Sequence, residues 1–354
     1  MRTTTLLREV SRNLTSGTGR VGLFASVAIA VLSLIMLSEL LTVAGLVRQG
    51  VEYRAAGSAI TTLALPGRIN GEACEALAQT PEVIAAGAMR EAPPISLSAL
   101  PSSPLKQYVV TPSFPGVLDA SENGRGAYFS DEVSQAVGWG DVSVAGRLVP
   151  TRGTYRYPSD GRRAGFGWAM LLPTHATDRV FDECWVQVWP ERSDIRRLLM
   201  TTITSASETA SREQPQIAQL NTSLGVEFSG VQNYVDRPSR FASFIALVAG
   251  VFLGLVAVWV RRIEIAANIH AGSARVVINL QYAIEVVAWS LPAALCGWSI
   301  GCVVAALGAP MELAPLTTRS AQIALVFLAG SVLGGLIGTS LVREPKLWSY
   351  VKGR

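Results

Sequence analysis

The chain has 354 residues, of which 49% are hydrophobic and 16% charged, against roughly 25% charge in an average globular domain. The deficit is local: residues 21–38, 241–260, 286–311 and 320–342 hold no Asp, Glu, Lys or Arg. These runs of 18, 20, 26 and 23 residues match the ~20 needed to cross a ~30 Å hydrocarbon core, which excludes an ordinary two-domain soluble protein. The sequence predicts a membrane protein with four transmembrane α-helices and a mixed α+β extracytoplasmic domain between helices 1 and 2.

In chain order, residues 1–20 are read as a cytoplasmic amphipathic helix. Leu6, Leu7, Val10 and Leu14 recur at helical spacing, with Arg2, Arg8 and Arg12 elsewhere around the wheel. The first span covers 21–47. Its apolar run exceeds the core of a secretory signal and no small-x-small site follows, so it is expected to stay as an anchor. Val43–Arg54 would extend it as a stalk.

Residues 48–240 form the extracytoplasmic domain. Extended segments are expected at Ala59–Leu65, Lys106–Val110, Asp141–Leu148, Gly167–Leu172 and Cys184–Trp189, and helices at Gly71–Leu77, Ser130–Val137 and Ser193–Ile203. Thr204–Gln216 reads as a loop, and Asn233–Arg240 returns to the membrane. Spans follow at 241–260, 278–307 and 320–342, joined by a cytoplasmic turn at 261–277 and an external loop at 308–319, with a tail at 343–354.

Charge sets the orientation. Arg2, Arg8, Arg12, Arg20, Arg261, Arg262, Arg275, Arg343, Lys346, Lys352 and Arg354 flank the spans on one side, 11 basic residues against Glu9, Glu264 and Glu344. Residues 48–240 carry 18 basic and 20 acidic residues. Short basic flanks stay inside, so both termini are placed in the cytoplasm of a bacterial cell, the chain in its cytoplasmic membrane, and 48–240 outside. The net charge of +4 marks topology and points to no nucleic-acid partner.

Chemistry-bearing motifs are few. The chain has two histidines, His175 and His270, and lacks HExxH, CxxC and the GxxxxGK[ST] phosphate loop. Gly297-Trp298-Ser299-Ile300-Gly301 has the letters of a nucleophile elbow but falls inside a span, where the required strand-to-helix turn has no place. No catalytic residue, metal site or cofactor of its own is expected, and the chain is read as not an enzyme.

Cys296 and Cys302 lie in the third span as small apolar fillers. Cys74 and Cys184 are the pair in the outer domain. An oxidising exterior permits a disulfide between them, and two free thiols are the alternative.

Gly250 and Gly254, Gly297 and Gly301, and Gly330, Gly334 and Gly338 recur every four residues, a pattern that lets helix backbones approach closely in lipid. Glu39, Gln281 and Glu285 are polar groups at or near membrane depth, which usually face a bundle interior or water.

The turn between spans two and three reads Arg261-Arg262-Ile263-Glu264-Ile265, then Ala271-Gly272-Ser273-Ala274-Arg275, then Gln281-Tyr282 and Glu285. This resembles the R-R-x-E-I…G-A…Q…E pattern of the MacB/FtsX superfamily of ABC transporter permeases. The layout of one span, a large outer domain and three more spans is similar too. Tyr108-Val-Val-Thr-Pro-Ser-Phe and Gly126-Ala-Tyr-Phe-Ser-Asp-Glu-Val resemble the family's periplasmic core more weakly. Ala271-Gly272-Ser273 departs from the family's usual Gly-Ala-Ser order.

The resemblance implies that Arg261, Arg262, Glu264, His270, Gly272 and Arg275 couple the chain to a separate cytoplasmic ABC ATPase, which would bind the ATP and Mg. It also implies a second permease copy or paralogue, forming a dimer. The expected function is the permease subunit of a MacB-type transporter that turns ATP hydrolysis into movement of the outer domain, exporting or extracting a peptide, antibiotic or lipophilic substrate. The alternatives are an FtsX-like regulator of a cell-wall hydrolase, or a membrane-anchored sensor or scaffold without an ATPase.

The residues add a physical reason. Glu264 near the start of a short cytoplasmic helix and Arg275 near its end would complement the helix dipole. Gly272 would break that helix before the chain re-enters lipid.

Overall fold

The computed structural model describes residues 20–98, 100–122, 126–138, 142–144, 147–177, 180–204, 213–308 and 313–343. The amphipathic helix expected within residues 1–20 and the tail beyond 343 lie outside the described residues, as do parts of the loops at 204–216 and 308–319.

The described elements begin with α1 (Val21–Ala55), β1 (Ile60–Ile69), α2 (Gly71–Ala76), β2 (Val83–Leu97), β3 (Leu100–Val110) and α3 (Phe114–Val117). They continue with β4 (Ser121–Glu122), β5 (Ala127–Ser130), α4 (Asp131–Val137), β6 (Val142–Val144), β7 (Arg147–Val149), β8 (Thr151–Tyr155), β9 (Ala169–Pro173), β10 (Phe181–Val188), α5 (Ile195–Met200) and β11 (Gln216–Gln219). The last are α6 (Gly230–Asp236), α7 (Ala242–Val260), α8 (Arg262–His270), α9 (Arg275–Gly308) and α10 (Leu313–Leu341).

Two compact units result, Met1–Gln49 with Ser229–Arg354, and Gly50–Phe228.

In the first unit, four helices are long and apolar enough to cross a membrane: α1, the Pro238–Val260 segment containing α7, α9 and α10. A buried ridge on α1, Phe24, Ala28, Leu32, Met36, Leu40 and Ala44, recurs every four residues. Small residues of α9 receive it. A Cβ at Gly297 would stand 3.0 Å from Leu32, one at Gly301 3.2 Å from Leu40, and one at Gly308 3.1 Å from Ala44.

Helices α7 and α10 approach more closely still. A Cβ on Gly254 would overlap the Ser331 carbonyl oxygen, and one on Gly334 would overlap that of Val251. Gly250 likewise meets the Phe327 carbonyl, while Gly330 would meet the Leu247 carbonyl at 2.6 Å and Gly338 the Val258 side chain at 3.0 Å. These glycines therefore pack helices of one chain against each other. Serines inside the bundle return their hydroxyls to their own helix, as Ser290 does to the Val286 carbonyl (2.7 Å) and Ser331 to that of Phe327 (2.9 Å). In hydrocarbon this satisfies the donors of those two serines.

The second unit is built on a mixed sheet with strand order β11-β1-β10-β2-β3-β9-β5-β8-β4, and β6 and β7 form a hairpin off β2. The β3–β9 and β5–β8 pairs are parallel and the rest antiparallel. One face buries Trp185, Tyr108, Phe166, Phe114, Tyr155 and Tyr157. Tyr108 and Phe166 stack at 4.3 Å between ring centres. Desolvation there pushes the Tyr108 phenol up to about 12.

The other face buries Leu63, Leu65, Phe181, Val186, Leu199 and the Cys74–Cys184 disulfide. Local chemistry sets the short helices. Asn70 caps α2 by accepting from the Ala73 amide at 2.9 Å, and Ser130 caps α4 in the same way, with Asp131 and Glu132 in the first turn suiting the dipole.

The sequence reading and the structure differ at several elements. Within the strand expected over Asp141–Leu148, the described residues form two short antiparallel strands, β6 and β7, with Val144 paired to Arg147. The helix expected over Ser193–Ile203 contracts to Ile195–Met200. The long strand β2 went unread because Ala85-Ala86-Gly87-Ala88 and Pro93-Pro94 carry little β propensity. Its place between β10 and β3 imposes the extended form, and pairing with β3 shifts register at the prolines, between Ala92 and Ile95. The last span begins as a helix at Leu313, well inside the expected external loop.

The disulfide spans 110 residues of chain. In the chain-entropy view, closing such a loop contributes ~4 kcal/mol. Replacing both Cys74 and Cys184 by Ala is therefore expected to lower the chemical-denaturation midpoint of the Gly50–Phe228 unit substantially. Tryptophan fluorescence of the full chain in detergent, which reads the buried Trp185, would measure it; an unchanged midpoint would show that the bridge adds nothing.

Candidate functional site

The turn between α7 and α9 is folded, not a bare link. Helix α8 buries Ile265 and Ala266 with Val258 of α7, Ile278 and Tyr282 of α9, and Val342 just past α10. That small core sets one face of α8 against the bundle and leaves Glu264, Ala267 and His270 exposed on the other.

Arg261, immediately before α8, ties the turn together. Its Nε and Nη2 donate to both carboxylate oxygens of Glu264, at 2.7 and 2.9 Å. Its Nη1 donates to Glu285 of α9. The guanidinium lies over the Tyr282 ring, 4.9 Å from its centre. Gln281 Nε2 reaches the second oxygen of Glu285 at 3.4 Å. Burial by itself would lower the Arg261 guanidinium; hydrogen bonding to Glu264 and the charges around it outweigh burial and hold it above its ordinary value. A bidentate fork plus a third donor is a geometry that arginine offers and lysine does not.

The C-terminal end of α8 is closed by Gly272. Its φ of +87° lies in the left-handed region. Its amide donates to Ile269 O at 3.0 Å, and the Ser273 amide to Asn268 O at 3.1 Å. These are the two bonds of a Schellman cap, which L side chains resist. Arg275 is a correction to the sequence reading: it opens α9 rather than closing α8, and His270 occupies the last turn of α8 instead. Arg262 leaves the cluster and sits 5.3 Å from the Trp259 ring centre.

Glu39 is placed apart from this turn, near the other end of the bundle, fully buried. It accepts from Arg237 Nη2 at 3.0 Å and Arg319 Nε at 3.2 Å. Sequence reasoning missed both arginines. The available signal was that a carboxylate at membrane depth demands a cation, and Arg319 stands at the edge of a charge-free run.

His175 lines a shallow cavity of 430 Å³ with Glu72, Glu75 and Gln79. Among the described residues, no three His, Cys, Asp or Glu side chains are arranged to hold a metal ion. Ser299 donates to Leu295 O at 2.9 Å inside α9, as an ordinary helical serine does.

No protein-family profile and no curated protein sequence matches the chain. Solved structures do resemble it. The periplasmic region of MacB from Actinobacillus actinomycetemcomitans aligns at 8% identity and a TM-score of 0.34, over 54% of this chain and 98% of that one. A domain described as a permease from Porphyromonas gingivalis aligns at 12% identity and 0.32, over 47% and 92%. The extracellular domain of the ABC-type transporter YknZ from Gram-positive bacteria aligns at 13% and 0.28, over 39% and 88%.

Proposed function

We propose that this chain is the membrane-spanning permease subunit of a MacB-type ABC transporter, and that α8 is its docking helix for a separate cytoplasmic ATPase. The observation that carries the reading is the convergence of one sequence pattern on one cluster. Arg261, Glu264, Gln281, Tyr282 and Glu285, the residues that resemble the permease pattern, are bonded or stacked around a single guanidinium.

Such a cluster suits force transmission. A push on the exposed face of α8 passes through Arg261 to α9 and through the small apolar core to α7. A loose hairpin would absorb the displacement; a capped helix pinned at both ends carries it. The partner ATPase binds ATP and Mg, a second permease copy or paralogue completes a dimer, and the Gly50–Phe228 unit moves with the helices outside the cell. The chain itself performs no catalysis.

The test is to alter the docking helix while leaving the bundle intact. Glu264 is half exposed, and Glu264→Arg removes a favourable first-turn charge of about 0.3–1 kcal/mol together with the bidentate bond to Arg261, and reverses the charge offered to the partner. Combined with Gly272→Leu, it is expected to cut recovery of the ATPase in mild detergent and to uncouple hydrolysis from transport, with expression and monodispersity retained. Wild-type recovery and wild-type ATP-dependent transport by that double variant would remove α8 as the coupling element and favour a sensor or scaffold.

A further inference from the structure

Glu39 lies 18 residues after Val21 on α1, about 27 Å along the helix at 1.5 Å per residue. It therefore falls close to one edge of a ~30 Å hydrocarbon core. Three arginines meet this single carboxylate's neighbourhood. Arg237 and Arg319 both bond it, and the Arg319 Nη2 also donates to the Arg240 carbonyl oxygen at 3.3 Å, which brings a third guanidinium-bearing residue beside the pair. Arg240 is exposed, donates to Val235 O at 2.8 Å and lies over the Phe241 ring, and no carboxylate among the described residues pairs with it. Three cations, Arg237, Arg240 and Arg319, against two anions, Glu39 and the exposed Asp236 beside Arg237, leave one positive charge in excess, and Arg240 is the cation that no carboxylate among the described residues pairs.

The flanking surface is independently that of a membrane interface. Helix α6, outside the apolar span, exposes Val231 (63%), Tyr234 (47%) and Val235 (51%). Phe241 and Phe244 are exposed just beyond, at the start of the span. Apolar and aromatic side chains left uncovered on a short helix beside a membrane span fit the headgroup zone, where Tyr in particular is enriched.

We infer that the Arg240–Arg319 edge of this bundle is a seat for the phosphodiester of an anionic phospholipid in the leaflet at the Glu39 end, with the acyl chains lying along Phe241 and Phe244. A guanidinium fork matches phosphate oxygens in pairs. Glu39 holds Arg237 and Arg319 in place and cannot neutralise them both. The seat is independent of ATPase docking at α8, and neither stands or falls with the other.

Native mass spectrometry of the full chain, delipidated in mild detergent and titrated with phosphatidylglycerol or phosphatidylcholine, tests it. The wild-type chain is expected to retain phosphatidylglycerol about tenfold more tightly than phosphatidylcholine, because the two share the phosphodiester but the choline ammonium offsets its charge and is repelled by the unpaired guanidinium. Arg240→Gln, a surface change that leaves the Glu39 pairs intact, should remove most of that preference without lowering thermal stability; Arg319→Gln should remove it as well. Equal affinity for the two lipids, or an unchanged preference in Arg240→Gln, would overturn the inference. Displacement of phosphatidylglycerol by an equal concentration of inorganic phosphate would also overturn it, because the site would then be one for a free anion.

Discussion

Gly254→Leu and Gly334→Leu are each expected to collapse the stability of the membrane bundle. The two glycines sit on facing helices, and a Cβ on either would overlap a backbone carbonyl oxygen of the other helix. Backbone cannot step aside as a flexible side chain can, so the helices would have to separate. Overpacking typically costs about 1–3 kcal/mol where side chains can readjust, and here the cost should lie at or above the upper end of that range. Lipid offers no hydrophobic gain to offset the lost contact between helices. Gly45→Ala is the control, since nothing stands within 4 Å of a Cβ there. Thermal unfolding in detergent should show large losses for the first two variants and little change for the control. Equal midpoints for all three would place the α7–α10 contact elsewhere.

Arg261→Ala is expected to be comparably severe for a different reason. It removes the guanidinium that bonds Glu285, whose side chain is 7% exposed inside α9. Removing one partner of a buried ion pair costs about 3–5 kcal/mol, largely as the penalty on the charge left behind. Arg261→Met combined with Glu285→Gln should recover most of that loss, because both charges go together. A double-mutant cycle on the thermal midpoint would measure the coupling. Losses that simply add would mean that the pair does not interact in the folded protein.

The spans were legible because hydrocarbon is an unforgiving solvent: four charge-free runs suffice to place four helices. The glycine spacing was legible for the same reason, but not its partner. Close approach between α7 and α10 and the seating of α1 on α9 depend on which faces meet, and a single sequence holds no pairing information.

The outer unit was half legible. Strands with alternating or β-branched runs, such as Cys184–Trp189, stood out. β2 is held extended by its neighbours in the sheet, against an Ala- and Pro-rich sequence, and that kind of long-range imposition leaves no local trace. At the turn, the residues of the cluster were identifiable one by one. Arg261 as its hub was not, since nothing in the spacing says that one guanidinium reaches both Glu264 and Glu285. Arg275 was misplaced because it follows the break at Gly272 and so opens the next helix, α9, instead of closing α8. Glu39 was visible as an anomaly, whereas its cations come from positions 198 and 280 residues away in sequence.

If this chain works as a permease through an ATPase bound at α8, the two should leave the membrane together. The most direct measurement is purification of the full chain from its own membranes in mild detergent, with the recovered proteins identified by mass spectrometry and their ATP hydrolysis assayed. A cytoplasmic ABC ATPase is expected in stoichiometric amount with the wild-type chain and is expected to be lost with the Glu264→Arg, Gly272→Leu variant. A complex that contains no ATPase, or one that retains it undiminished with that variant, would mean that the chain does not work through an ATPase at α8.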